Sequence, residues 1–221
     1  MFAGDAVAVL LDYIERFGID LVVMGTHGRA LPQRLLLGSV ASEVVRRSPA
    51  PVLLVPRKVQ PIHDDLVRLL VAMDTSEHAR RALEAAVQLA EAVPVEITLF
   101  QVLPGLGSAP EQRTAAWYEE PVLTGGEYLD ELQAKLAKRG LNVRRAYSAG
   151  SAAEEILQYV QNGGFDIVAV GTRSLTGVPR LLWGSVSEYV VQHAHVPVLV
   201  TSPSTILLAQ ASEHRLEKQA F

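Results

Sequence analysis

The stretch MGTHGRALPQRLLLGSV, residues 24–40, closes an apolar run from Leu21 to Met24. It then sets Gly25, Gly28 and Gly38-Ser39 at the spacing G-x2-G-x9-G-S. It returns as VGTRSLTGVPRLLWGSV at residues 170–186. Sliding the chain against itself extends the echo without a gap: residues 4–56 match residues 150–202 at a constant offset of 146, with 20 identities in 53 positions. Gly4 pairs with Gly150, Tyr13 with Tyr159, Asp20 with Asp166 and Gly25-Thr26 with Gly171-Thr172. The pairs Gly38-Ser39-Val40 with Gly184-Ser185-Val186, and Pro51-Val52-Leu53 with Pro197-Val198-Leu199, continue it. A self-match of this length marks a duplicated structural unit.

The second copy extends upstream and shows the whole unit. LVRLLVAM (66–73) is an almost unbroken apolar run, as a strand buried on both faces requires. SEHARRALEAAVQLAEAV (76–93) has apolar residues at helical spacing behind a Thr75/Ser76 start signal. VEITLFQV (95–102) predicts the next strand, followed by a Gly/Pro-rich loop, a helix around 120–139 and a strand over 141–147. Ser151 with Glu154 predicts a capping box opening another helix. DIVAV (166–170), a helix from about 184 and VPVLVT (196–201) complete the alternation. Strands alternating with helices predict an α/β fold with a parallel, doubly wound sheet.

The first copy holds only the closing helix–strand–loop–helix–strand part, so residues 1–56 are expected to form the C-terminal half of such a unit. Residues 57–65, polar with Pro61, are expected to be a linker, 66–203 a complete unit and 204–221 a tail. On this reading the first copy is N-terminally truncated, its missing start falling about 80 residues before Met1 at the same offset.

In a parallel α/β sheet, ligands bind beyond the carboxyl ends of the strands, where the strand order switches. Gly25 and Gly171 each close a strand. Glycine tolerates positive φ and lets backbone N–H groups approach an anion closely. Gly38-Ser39 and Gly184-Ser185 each open a helix, whose free N–H groups and positive dipole end favour phosphate. The repeated spacing therefore predicts a phosphate cradle, with the Ser39 or Ser185 hydroxyl as a further donor. Asp74, at the end of the first complete strand, is expected to cap the helix beginning near Ser76.

Other chemistries find no footing. The chain of 221 residues is 49% hydrophobic, carries a formal net charge of −4 and has no cysteine. That balance offers nothing to attract nucleic acid or an anionic membrane, and the lack of thiols removes disulfides, thiolate catalysis and Cys-ligated metal. His193 and His195 lack carboxylate or Cys companions for a metal. The apolar N-terminus is interrupted by Asp5 and Asp12, which favours an amphipathic helix over a signal peptide or a span. A soluble cytoplasmic protein is expected. No Walker A lysine and no G-x-S-x-G elbow are present, so catalysis is not expected.

LLVAMDTSEHARRALEAAVQLA, GTHGRALPQRLLLGSVASEVVRRSPAPVLLVP and GTRSLTGVPRLLWGSVSEYVVQHAHVPVLV together resemble the universal stress protein family, over residues 66–202 as a full domain and 4–56 as a half. The resemblance implies a five-stranded parallel sheet of order 3-2-1-4-5 and, in many members, ATP, with Mg as a possible companion. It implies that Asp74 contacts the nucleotide and that Val102 lines the adenine pocket. The cradle residues Gly171, Ser174, Gly184, Ser185 and Val186 of the second copy, and Gly25, Gly28, Gly38 and Ser39 of the first, would hold ribose and phosphates. Ser174 stands where the pattern has its second glycine, and the first copy lacks the strand that carries the Asp. The resemblance also implies pairing of final strands, so PVLLV (51–55) and PVLVT (197–201) are expected to meet as an intrachain pseudo-dimer or a homodimer. The function so implied is an ATP-binding regulatory module of the stress response. The alternatives are a nucleotide-free interaction module of the same fold and, after it, a weak ATPase or phosphotransferase.

Overall fold

A computed structural model describes residues 5–26, 37–59, 65–104, 116–172 and 184–205, with side chains described from 126 onward in the helix that begins at 116. Its elements in chain order are α1 (Ala6–Phe17), β1 (Val22–Gly25), α2 (Ser39–Arg47), β2 (Val52–Val55), β3 (Val67–Met73), α3 (Glu77–Ala92), β4 (Val95–Pro104), α4 (Ala116–Lys138), β5 (Asn142–Gly150), α5 (Ala152–Gly163), β6 (Ile167–Gly171), α6 (Ser185–His193) and β7 (Val198–Thr201).

All seven strands join one sheet in the order β1-β2-β7-β6-β3-β4-β5. The five strands of the second copy are parallel to one another, with the third, second, first, fourth and fifth in that spatial order. The sheet does not stop there, as a free-standing five-stranded domain would. β2 pairs antiparallel with β7, in the register Val52↔Val200, Leu53↔Leu199 and Leu54↔Val198, and β1 continues parallel to β2. The final strands of the two copies thus meet within one chain. Each would otherwise leave a row of unpaired N–H and C=O groups along an apolar edge.

Helices cover both faces. α1, α2, α5 and α6 pack on one side around Leu54, Phe100, Val168 and Val200. α3 and α4 pack on the other around Leu69, Val71, Ile97 and Leu99. β3 lies in the middle, and Leu69, Leu70 and Val71 are each 0% exposed. Burying one such side chain contributes roughly 1.5–3 kcal/mol, which is why this run carries a single charge. A short strap after β7 ties the copies together. The Ser202 and Ser204 hydroxyls donate to the Arg46 carbonyl at 3.4 and 3.1 Å, and Arg81 of α3 donates to the Pro203 carbonyl at 2.7 Å.

Two local expectations change. Ser151 sits at the N-cap of α5, but its side chain makes no capping hydrogen bond. The acidic side chain that folds back is Glu155 rather than Glu154, and it accepts from the Ser148 hydroxyl of β5. β5 also runs on to Gly150, beyond the expected end at 147, because it stays in register with β4 as far as Pro104↔Gly150.

Candidate functional site

β3 lies at the switch in strand order: the chain builds β4 and β5 to one side of it, then returns to lay β6 and β7 on the other. A cavity of about 220 Å³ opens at the carboxyl ends of these strands. Ala72, Phe100, Val102, Val170 and Ile156 give it an apolar floor, while Asp74, Ser76, Gly184, Ser185 and Ser187 bring polar groups.

Each wall follows from local sequence. α3 is capped by Ser76, whose hydroxyl oxygen accepts from Ala79 N–H at 3.3 Å. Asp74 is therefore not the cap. Its Oδ1 accepts from Ser76 N–H at 2.8 Å and from the Ser76 hydroxyl, holding the turn that leads β3 into α3. Asp74 itself is exposed at the rim. The opposite wall is α6, with Gly184 at its N-cap (φ −56°) and no side chain closing the first turn. Two helices, α5 and α6, thus bring N-termini without side-chain caps to the cavity through Ala152 and Ser185. Orphan N–H groups and the positive dipole ends make such termini anion acceptors.

The glycines serve differently from the expectation. Among the described residues, positive φ is confined to Gly18, Gly140, Gly150 and Gly164. Gly25, Gly38, Gly171 and Gly184 adopt none. Gly171 is needed for closeness: a Cβ there would lie 2.0 Å from the His78 carbonyl oxygen. The missing side chain lets the first turn of α3 sit directly on the end of β6. The Ser187 hydroxyl then donates to the Gly171 carbonyl at 2.6 Å, locking α6 to the same strand end.

Asp74, Val102, Gly171, Gly184, Ser185 and Val186 all line this cavity. Gly25, Gly38 and Ser39 do not. Gly38 caps α2 (φ −54°) without a side-chain bond, just as Gly184 caps α6, and its N–H donates to the Thr26 carbonyl at 3.0 Å. Among the described residues, no strand stands beside β1 as β3 stands beside β6, so neither an Asp nor an apolar floor faces Gly38 there. Gly28 and Ser174 lie outside the described residues. Sequence reasoning missed Phe100, Ile156, Ser76 and Ser187. Phe100 and Ile156 carry a weak signal, an apolar residue near a strand end and one in the first turns of a helix. Ser187 carries none, because its counterpart in the repeat is Ala41.

Tyr128 of α4 is pushed up, chiefly by burial, against a smaller opposing pull from Arg80. Glu77, in the first turn of α3, is held below the usual carboxylate range, first by its hydrogen bond from Arg80. Among the described residues no helix is long and apolar enough to cross a membrane.

A mostly parallel α/β sheet with helices on both faces and a crevice at its switch point defines a doubly wound α/β fold. The chain belongs to the Universal stress protein family, whose pattern it matches over residues 1–56 and 67–202. It is 31% identical over 143 residues to the universal stress protein YxiE of Bacillus subtilis, a match covering 60% of this chain and 97% of that one. A universal stress protein of Mycolicibacterium smegmatis is 29% identical over 186 residues, covering 83% of this chain, which spans only 62% of that relative's length. Among solved structures, a universal stress protein from Archaeoglobus fulgidus superposes with a TM-score of 0.67 at 26% identity, over 90% of this chain and 68% of that one.

Proposed function

We propose that the second copy binds an adenine nucleotide, ATP in the first instance, and that the chain acts as a nucleotide-responsive regulatory module of the stress response. The carrying observation is the sorting of charge around one cavity. Its apolar floor of Phe100, Val102 and Ile156 suits a base, and the α5 and α6 starts suit phosphates. An ionised carboxylate such as that of Asp74 accepts hydrogen bonds and donates none. It therefore suits a donor on the ligand, a sugar hydroxyl or an exocyclic amine, and would repel the phosphate end. At about 220 Å³ the cavity is below the ~300–1,000 Å³ usual for small-molecule sites. It accommodates the base and sugar and leaves the phosphates at the mouth, against the Gly184-Ser185 turn.

The test has two readouts. Purified protein is denatured and its supernatant analysed for adenine nucleotide, and the folded chain is titrated with ATP at fixed salt and Mg. Asp74→Ala should weaken binding by roughly ten- to a hundred-fold, since a hydrogen bond to a charged group is worth roughly 1.5–3 kcal/mol. Absence of both released nucleotide and titratable binding, with Asp74→Ala indistinguishable from the parent, would replace this reading with the nucleotide-free interaction module.

A further inference from the structure

Three surfaces of the first copy are bare where their counterparts in the second are covered. One is a stripe along α1. Leu10, Tyr13 and Phe17 are 39%, 48% and 59% exposed. At the equivalent of Leu10, Ile156 is 3% exposed, and at the equivalent of Tyr13, Tyr159 stacks on Phe100 of β4 at 4.4 Å between ring centroids. The second is the outer edge of β1. Val22 N–H donates to Pro51 and Thr26 N–H to Val55, so the alternating amides of Val23 and Gly25 point away from β2. The same edge of β6 is taken by β3, in the register Leu69↔Ile167, Leu70↔Val168 and Val71↔Ala169. The third is the opposite face of β1. Val23 is 59% exposed there, while its counterpart Ala169 lies at 0% in the core shared with α3.

In the second copy one connected unit, β3-α3-β4, covers all three places. We propose that β1 and α1 form the docking surface for a β-α-β segment of the same fold, supplied from outside residues 1–221 and adding its first strand parallel to β1. The two ends of the sheet support this. The far edge strand, β5, carries Arg144 and Arg145, the charged guard that discourages strand addition, and they pair with Glu96 and Asp130. β1 reads Val-Val-Met-Gly and carries no such guard. A second copy joined edge to edge through β1 does not fit the same space. α5, the counterpart of α1, packs over β4 and β5, beyond β3. α1 therefore overhangs its edge by more than one strand, and in such a pair each α1 would meet the helices already covering the partner's β1 and β2.

The experiment adds, to the intact chain, a separately made polypeptide carrying residues 65–150 of this sequence as a β-α-β probe. Amide exchange is read at Val23 and Gly25. A second arm fuses the same residues ahead of Met1 through a flexible linker. The expected result is slowing of about ten-fold or more at both amides in either arm, and its loss when Val23→Lys or Tyr13→Lys places a charge on the surface. Unchanged exchange in both arms would overturn the proposal, as would protection that survives both substitutions. Protection that rises with the concentration of the chain alone would assign the surface to a second copy, and would equally overturn it.

Discussion

Tyr13 and Tyr159 are the same position of one repeat in two surroundings. Tyr159 is held between Phe100 and Phe165, at 4.4 and 5.7 Å between ring centroids. Tyr13 is half exposed and finds only Phe17 of its own helix, at 4.3 Å. Both helices formed, since each ends in its own left-handed glycine cap, Gly18 or Gly164, and has its own apolar stripe. Tertiary context decided whether the stripe contributes to stability. A helix of about 12 residues is marginal alone and draws most of its stability from what it packs against. α1 keeps one face of that packing, Val7 and Ile14 against the sheet and α2, and lacks the other.

The sharpest way to break the comparison is to truncate the same position in each copy. Ile156→Ala empties a packed site and should cost about 2–5 kcal/mol. Leu10→Ala, at an exposed position, should stay within about 0.5 kcal/mol. Urea unfolding of the two variants checks both values, and equal losses would mean that the stripe of α1 is covered in solution. A smaller contrast is expected at the strand-end glycines. Gly171→Ala forces its Cβ into the His78 carbonyl and should cost about 1–3 kcal/mol. It should weaken nucleotide binding too, because the first turn of α3 must move. Gly25→Ala, on the exposed end of β1, should leave ATP titrations unchanged.

Hydrogen exchange sharpens the comparison without mutation. In the chain alone, the Val23 and Gly25 amides should exchange at least about ten-fold faster than those of Ala169 and Gly171, which face β3. Equal protection would contradict an open edge.

The smallest effect concerns acid. Arg80 bridges Glu77 and Glu84 on α3, whereas α1 has no acidic residue in its first turn. Glu77 has a folded-state pKa below its usual 4.5, so its contribution is present above that value and fades as pH falls through the lowered one. Glu77 is largely solvated, so screening leaves only about 0.3–0.5 kcal/mol. Glu77→Gln should flatten that part of the pH profile, and thermal melts between neutral and strongly acidic pH would show it.

Much of this molecule was legible in one dimension. A constant offset of 146 over 53 gapless positions revealed the duplication, and period and run length gave the α/β alternation. The spacing G-x2-G-x9-G-S marked the turn from which α6 starts, because a Gly N-cap leaves its imprint locally. Asp74 and Val102 were found through family resemblance, not through any local pattern of their own. Three features needed the third dimension. The purpose of Gly171 is a contact with His78, 93 residues distant in sequence, and no local signal separates that from a positive φ. Ser151 and Glu154 have the right spacing for a capping box, yet the bond is not made, because Ser148 on β5 draws Glu155 and not Glu154 into its packing.

The third feature is the split between the two glycine loops. By sequence the first copy matches the cradle at Gly25, Gly28, Gly38 and Ser39, better than the second does at Ser174. In space, among the described residues, the cavity lies at the second, because a site at a switch point needs the strands on both sides of it. A motif records the backbone's local bend, which a few residues determine. Whether that bend closes around anything depends on walls supplied by distant segments: here β3, β4 and α5 stand beside α6, and among the described residues nothing equivalent stands beside α2.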